Sequence, residues 1–420
     1  MRVFVAAVKL SEAHAEVGIA QAGAGLLACM SNAMLAEMSD RFEGELVGEA
    51  ATHPPAAEAG ELVAGKLWRP RRVVITPDAY ALPHGRRMLE RAEAFGAAVV
   101  RLPTNRLTGA LFGAGTEMPG KRYALAKSTF AIAVSPPGAR KLQPIPPSAD
   151  WQFHVAQGCP AHCQYCYLAG SLSGPPVTRA YANLSEILDG LRSYGGGGQV
   201  TSKSRERAGE GTTFESSCYT DPLGIEHLTG ALAKAIRFFG EWEAPVQLRW
   251  TTKFDAVGGL VGLPHNGRTR VRFSVNAAAV SRDFEGGTAS VAQRLKALGT
   301  MARAGYPVGL TVAPIMPVEG WQEQYRALFA SVRDVVTEVR DLDLTVELIT
   351  HRFTPGSKEV LLGWYPKTTL DLREEARTEK RTKFGGFKYV YPKESMGAMR
   401  GWFERTIAEV LAGAKILYWT

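Results

Sequence analysis

Cysteine is scarce in this chain, with five among 420 residues. Three of the five, Cys159, Cys163 and Cys166, fall close together, while Cys29 and Cys218 stand apart. A chain of this length buries a sizeable core without disulfides, and an odd, clustered set does not suggest a disulfide framework. We therefore expect a reducing compartment and a metal or redox site.

Long apolar runs are missing as well. No stretch approaches the length of a membrane-spanning helix, and the amino-terminal residues lack the long apolar core of a secretory signal. These absences predict a cytoplasmic protein that has no membrane partner.

The charge balance is moderately basic, with 49 Lys and Arg against 41 Asp and Glu, a net charge of +8. The excess favours a polyanionic partner such as nucleic acid, although a basic enzyme of another kind could have the same balance. The 45% hydrophobic and 21% charged residues are ordinary for a globular protein and leave the function open.

The pattern along the chain predicts three parts. Residues 1–67 form an extension rich in Ala, Gly and Glu, to which we assign no role. We expect residues 68–147 to form a small α/β domain that ends in a Pro-rich linker at 136–147. Residues 148–420 are expected to form the catalytic domain. Within 195–211, a loop rich in Gly and charge is expected to be flexible, with Lys203, Arg205 and Arg207 solvated.

Apolar runs alternate with amphipathic segments over most of the chain. We expect strands at 71–76, 97–102, 153–156, 246–253, 271–276, 308–314 and 344–350, and helices at 83–95, 184–194, 225–239, 291–304 and 322–339. Such alternation predicts a parallel sheet that is closed or partly closed like a barrel. Active sites in these folds lie at the carboxyl ends of the strands.

The most informative segment spans residues 158–168, where Cys159, Cys163 and Cys166 have CxxxCxxC spacing. Three thiolates from one loop can bind three irons of a cubane cluster and leave the fourth iron open. One alternative is a structural zinc site completed by His162, but zinc sites usually take two separated ligand pairs, and adjacent residues do not readily share one metal. The other alternative is three unrelated buried cysteines, which would make the tight spacing accidental.

The CxxxCxxC motif before alternating strands and helices resembles the radical S-adenosylmethionine (AdoMet) superfamily. Within it, the chain resembles the spore photoproduct lyase family from about residue 70 to 420. The segments that carry this likeness lie at residues 165–168, 215–221, 224–229, 251–253, 265–267, 272–276, 312–315, 347–353 and 365–368.

This resemblance implies a fold, a partial (β/α)6 barrel with a small amino-terminal α/β domain and a carboxyl-terminal β-hairpin. It also implies that Cys159, Cys163 and Cys166 ligate a 4Fe-4S cluster whose open iron binds AdoMet. The reduced cluster then cleaves AdoMet to methionine and a 5′-deoxyadenosyl radical. The residues matched to AdoMet contacts are Lys253, Ser274, Ala313, Thr220 and Asn276.

The resemblance further implies that Cys218 returns a hydrogen atom to the product radical, while Tyr165 and Tyr167 relay the radical back to the cofactor. A weak thiol S–H bond suits such a donor, but most lone cysteines are small buried hydrophobes. Lys253 could equally be a solvated lysine, and the two tyrosines could be packing aromatics.

Near the carboxyl terminus, basic and aromatic residues surround a Gly-Gly dipeptide, which predicts a β-hairpin. Lys383, Phe384 and Lys388 are candidate DNA contacts, since such a hairpin can bind phosphates and wedge a ring into the base stack. The alternative is a charged edge hairpin that caps the barrel. Lys383-Phe384 also departs from the family, which has arginine followed by tyrosine at this position.

The predicted function is therefore repair of 5-thyminyl-5,6-dihydrothymine in damaged DNA to two thymines. An external electron donor such as flavodoxin or ferredoxin would be needed, and we expect a monomer. Two alternatives stay open: a radical enzyme with the same core and another nucleotide or small-molecule substrate, and a non-catalytic zinc-bearing module that binds nucleic acid.

Overall fold

Two mainly parallel sheets organise the chain. The computed structural model describes residues 67–108, 111, 118–172, 174–201, 204–205, 207–382 and 385–420. The strands are β1 (Arg72–Ile75), β2 (Ala98–Arg101), β3 (Thr129–Ala133), β4 (Gln143–Ile145), β5 (Ala149–Gln152), β6 (Ala156–Gln157), β7 (His162–Cys163), β8 (Thr178–Tyr181), β9 (Thr212–Glu215), β10 (Val246–Thr252), β11 (Thr269–Val275), β12 (Glu285–Gly286), β13 (Val308–Ile315), β14 (Leu344–Thr350), β15 (Thr378–Arg381), β16 (Phe387–Val390) and β17 (Lys415–Trp419).

Helices connect most of these strands. They are α1 (Pro77–Ala81), α2 (Pro83–Ala94), α3 (Pro119–Lys127), α4 (Leu168–Ser171), α5 (Leu184–Leu191), α6 (Glu226–Thr229), α7 (Ala231–Glu241), α8 (Ala278–Phe284), α9 (Val291–Arg303), α10 (Trp321–Val336), α11 (Pro355–Trp364) and α12 (Lys393–Val410). No helix in the described part of the chain is both long and apolar enough to cross a membrane.

The smaller sheet has the strand order β2-β1-β3-β8-β6. Its central strands are parallel and apolar, with Val73, Phe130 and Ile132 fully buried. Strands β6 and β8 come from beyond residue 148, so segments on both sides of the expected boundary at 147 build this one sheet. The division into domains at that residue stays a prediction.

The larger sheet has the order β17-β14-β13-β11-β10-β9-β5-β4. Six neighbouring strands from β5 to β14 run parallel, which confirms the partial barrel. Strand β17 adds a further parallel edge strand, and β4 pairs antiparallel to β5 at the other edge. The Pro-rich segment predicted as a linker thus supplies an edge strand, a position where proline is tolerated.

Two predictions of local secondary structure were wrong. The first barrel strand is β5 rather than 153–156, because the chain leaves the larger sheet after Phe153 and joins the smaller sheet as β6 at Ala156. The helix predicted at 225–239 is broken at Gly230, which has a φ of +62°. The carboxylate of Glu226 then caps α7 by accepting hydrogen bonds from the backbone amides of Leu232 and Ala233 in the first turn of that helix.

The loop at 195–211 is anchored to the barrel, in contrast to the predicted flexible surface loop. Thr201 is buried and donates to the carbonyl of Gly211 at 2.7 Å. Arg207 is only 6% exposed and donates to the carbonyls of Pro147 and Ser148. Arg205 is exposed as expected, and Lys203 lies outside the described residues.

Candidate functional site

The three clustered cysteines lie on a loop fixed at both ends. Gly158, before the first cysteine, has a φ of +77°, and an added Cβ would lie 2.1 Å from the carbonyl oxygen of Val177. A side chain is therefore excluded at that turn. At the other end, β7 pairs antiparallel with β12, so that Cys163 stands opposite Glu285.

All three cysteines line one small cavity. The buried ammonium group of Lys127 donates to the backbone carbonyls of Cys159 and Ala161, which fixes the loop's shape. Burial raises the pKa of Cys159 and Cys163 to about 12 and that of Cys166 to about 11. A bound cation must therefore displace the thiol protons at neutral pH.

The donor set fits an iron–sulfur cluster better than zinc. Among the residues that the structure describes, no three His, Cys, Asp or Glu side chains are arranged to hold a single metal ion. His162 is engaged through its Nδ1, which lies 3.0 Å from the hydroxyl of Tyr123. A cubane cluster binds each thiolate at a separate iron, so it needs the sulfurs further apart than one zinc ion does.

Lys253 contacts two of the other four residues predicted to bind AdoMet, Ser274 and Ala313. It follows β10, and its Nζ donates to Ser274 Oγ at 2.7 Å and to the carbonyl of Ala313 at 3.4 Å. The same ammonium group lies 5.6 Å from the ring centroid of Tyr165. Three strand ends thus meet at one point beside the cysteine loop.

Glu285, which the sequence analysis missed, is the anion at this point. One carboxylate oxygen accepts from Lys253 at 3.0 Å and from the hydroxyl of Tyr165. The other oxygen pairs with Arg294 at 2.6 Å and accepts from Ser281 at 3.1 Å. Burial alone would raise the pKa of Glu285, but the two cations outweigh it and hold the pKa at about 2. Glu285 is therefore ionised at neutral pH.

Arg294 also belongs to this group and was missed. It lies on α9, is fully buried, and donates to the carbonyls of Ala289 and Ser274. An arginine on the apolar face of a predicted amphipathic helix was the available signal, because such a side chain needs a buried partner.

Cys218 lies just beyond β9 and is 8% exposed. The preceding turn is fixed by Ser217, whose hydroxyl donates to the carboxylate of Glu215 and accepts from the amide of Thr251 at 2.9 Å. Burial raises the pKa of Cys218 to about 12, so its S–H bond is retained at neutral pH. A neutral thiol is the form that can donate a hydrogen atom.

Tyr167 reaches the open mouth of the barrel, where 59% of the residue is exposed. It follows Cys166 directly in the cysteine loop. Tyr165, two residues before it, donates its hydroxyl hydrogen to Glu285.

Thr220 and Asn276 differ in whether their side chains already have hydrogen-bond partners in the protein. The buried Thr220 hydroxyl has no hydrogen-bond partner among the described residues, so it fits a ligand-binding role. The Asn276 amide is already engaged, because it donates to the carbonyl of Pro314 at 2.8 Å and accepts from Tyr325 at 2.6 Å. Both roles in cofactor binding stay predictions.

A second charged network fills the barrel below the site, and it too was missed. Arg272 pairs with Glu347 at 2.7 Å and with Glu215, and Arg249 pairs with Glu347 at 2.6 Å. All four side chains are almost fully buried. Charged residues inside predicted buried strands, such as Arg249, Arg272 and Glu347, were the signal, because buried charges need partners of opposite sign.

The carboxyl-terminal hairpin is confirmed by β15 and β16, with Lys380 opposite Lys388. Burial, then the charge of Arg352 and then that of Lys380, lowers the pKa of Lys388. Like charges in this arrangement repel each other, and an anion between them would relieve the repulsion. Lys383 and Phe384 lie outside the described residues.

Comparison with known proteins agrees with this geometry. A family model described as "Spore photoproduct lyase" matches residues 68–420. The spore photoproduct lyase of Bacillus subtilis (strain 168) is 39% identical over 355 residues, covering 84% of this chain and 98% of that protein. The spore photoproduct lyase of Geobacillus sp. (strain Y412MC61) is 37% identical, covering 84% of this chain and all of its own length (100%).

Solved structures show the same similarity. A spore photoproduct lyase variant with bound AdoMet and dinucleoside spore photoproduct has a TM-score of 0.76 at 36% identity, covering 84% of this chain and 100% of that chain. Spore photoproduct lyase complexed with dinucleoside spore photoproduct has a TM-score of 0.76 at 37% identity, with the same coverage.

Proposed function

This chain belongs to the spore photoproduct lyase family, and we propose that it repairs DNA by cleaving 5-thyminyl-5,6-dihydrothymine to two thymines. The observation that carries this proposal is the meeting of three groups at the carboxyl ends of neighbouring strands. These are the cysteine-lined cavity, the Lys253–Ser274–Ala313 group and the buried thiol of Cys218. Candidate residues for cluster binding, for AdoMet binding and for hydrogen-atom donation therefore lie at one place.

Cys159, Cys163 and Cys166 would hold a 4Fe-4S cluster, and AdoMet would bind beside it against Lys253, Ser274 and Ala313. When both are bound, the cluster and AdoMet supply a primary carbon radical that can abstract hydrogen from carbon six of the lesion. The protein's own part is to orient the reacting groups and to exclude water. Glu285 contributes by fixing the Lys253 ammonium group and the Tyr165 phenol from one carboxylate oxygen.

Cys218 would return a hydrogen atom to the thymine radical that remains after the methylene bridge has broken. Its raised pKa supports this role, because a thiolate has no S–H hydrogen to give. Tyr167, which follows Cys166 in the cysteine loop, would pass the radical onward together with Tyr165.

DNA would be held by the hairpin, where Lys388, Lys383 and Phe384 are the candidate contacts. We further propose a monomer in the cytoplasm that receives its electron from a flavodoxin or ferredoxin. Arg352, near Lys388, is partly buried and donates a hydrogen bond to the hydroxyl of Thr420 at 3.5 Å. It adds positive charge to the same surface.

The test is anaerobic assay of the reconstituted protein and its Cys163→Ala variant with AdoMet, dithionite and an oligonucleotide that contains the lesion. The wild type should contain iron and sulfide, cleave AdoMet and release intact thymines, and the variant should lose all three. A colourless zinc protein that binds DNA would overturn the proposal in favour of a binding module. AdoMet cleavage with an untouched lesion would indicate another substrate.

A further inference from the structure

Helices α3 and α11 form an exposed face with apolar side chains at its centre. Among the described residues, five large hydrophobic side chains are exposed, and two of them belong to this helix pair. They are Met118, directly before α3, at 71%, and Leu362 of α11, at 41%. The helices touch where a Cβ added to Gly363 would lie 3.6 Å from the Cβ of Pro119. Met118 and Leu362 are the chain neighbours of these two contact residues, so their backbones lie close together.

Directly beneath this face lies the cysteine cavity. Tyr123 of α3, Trp364 of α11 and the adjacent Tyr365 line the cavity together with all three cysteines. The rings are in contact, with centroids 5.0 Å apart for Tyr123 and Trp364 and 5.2 Å for Tyr123 and Tyr365. Trp364 is only half-buried, so one of the aromatic side chains that line the cavity is also partly exposed to solvent.

Positive charge surrounds the apolar centre. Lys121 on α3 and Lys367 after α11 are exposed, and Arg122 has a buried Nε without a hydrogen-bond partner among the described residues. Lys367 is one residue before Thr368, whose hydroxyl donates to Gln164 of the cysteine loop at 2.5 Å. Glu359, one turn before Leu362, is the exposed acid of α11. Among the described residues of this face, cations thus outnumber acids.

We propose that this face docks a small, acidic electron-carrier protein of the flavodoxin class. A few apolar contacts ringed by charge suit the small, transient interfaces of electron-transfer partners. The inference rests on the proposed function, which needs one electron delivered to the cavity. The reduced flavin of the carrier would give up one electron to the cluster that the three cysteines would hold, and this transfer requires no proton or further reactant.

Binding can be measured without a cluster, by calorimetric titration of the cluster-free protein with an oxidised bacterial flavodoxin at low ionic strength. The double variant Lys121→Glu with Lys367→Glu should bind at least tenfold more weakly. The matched control is Lys141→Glu with Lys296→Glu, which changes the net charge equally at exposed positions on other elements and should stay within twofold of the wild type. Leu362→Ser should also weaken binding without a change in charge.

Unchanged binding in the double variant would overturn the proposal. Equally weakened binding in the control pair would also overturn it, because net charge alone would then explain binding. In the cluster-loaded enzyme, the double variant should lose activity driven by flavodoxin and keep activity driven by dithionite. A wild-type protein that shows no AdoMet cleavage with dithionite would contradict the proposed function, while the titration would still decide whether the face docks the carrier.

Discussion

At the scale of single residues, the site keeps two acidic groups in opposite states. Glu285 is ionised because Lys253 and Arg294 contact its two oxygens, whereas Cys218 keeps its proton because burial disfavours the thiolate. The charged group positions its neighbours, and the neutral group can react. The surroundings of each residue set its protonation state and therefore its role.

Cys218→Ala should retain the cluster and AdoMet cleavage and should still open the lesion, because the steps before hydrogen return do not use the thiol. The thymine radical then lacks its donor, so we expect less intact thymine and new adducts by mass spectrometry. If Cys218 has only a structural role, the substitution should leave a small cavity that lowers the free energy of unfolding by about 1–2 kcal/mol. The melting temperature would then fall, and the products would be unchanged. Intact thymines at the normal rate would rule out the donor role.

Glu285→Gln should destabilise the fold, because it leaves the buried charges of Lys253 and Arg294 without their anion. Removal of one partner from a buried ion pair costs about 3–5 kcal/mol. Urea unfolding of the variant measures this destabilisation, and Asp283→Asn, which breaks an exposed ion pair two residues away, is the control and should unfold like the wild type. A Glu285→Gln protein as stable as that control would contradict the account of this carboxylate.

His154 should make stability depend on pH. Burial lowers its pKa from 6.5 to about 4, so between these values the unfolded chain binds the proton and the folded chain does not. Stability should therefore fall as the pH drops from 6.5 towards 4, and this single group accounts for about 2 kcal/mol between pH 7 and pH 5. His154→Phe keeps a ring against Tyr219. Denaturant titrations should show a smaller decrease in stability on acidification in the variant, and identical decreases would refute this assignment.

At the scale of elements, the hairpin of β15 and β16 places two lysines opposite each other near Arg352. If they bind phosphate, Lys380→Ala with Lys388→Ala should weaken DNA binding and reduce the slope of log affinity against log salt by up to about two, one for each phosphate that is no longer neutralised. Fluorescence anisotropy over a range of salt concentrations measures both. The control variant, Lys141→Ala with Lys296→Ala, should leave the slope unchanged. An unchanged slope in the hairpin variant would show that the hairpin only caps the barrel.

The elements that the sequence predicted best are those with strong periodicity. Strand β14 has the predicted bounds, and α9 begins at Val291 because Ser290 and Gln293 form a capping box. The errors arose where an apolar pattern indicates burial without indicating which sheet the backbone joins, as after Phe153, or where one glycine turns the chain, as at Gly230. The pattern also missed β17, since an edge strand with half-buried residues has no clear alternation.

At the scale of the whole molecule, family resemblance located the residues that meet at the strand ends, and the structure brings Lys253, Ser274 and Ala313 together there. Spacing along the chain cannot show which distant residues pair. Glu285 reaches Lys253 and Tyr165 only because β12 pairs with β7 of the cysteine loop. The charged network below the site likewise depends on strand register, which fixes which side chains share the barrel interior.

The central claim is that a radical formed at the cysteine loop reverses the thymine lesion, and hydrogen transfer tests it most directly. A dinucleotide spore photoproduct that carries deuterium at carbon six of the saturated thymine ring would be incubated anaerobically with the reconstituted protein, AdoMet and dithionite. The account predicts release of the thymine dinucleotide and deuterium in AdoMet or 5′-deoxyadenosine. AdoMet cleavage with no deuterium transfer and an unchanged lesion would contradict it.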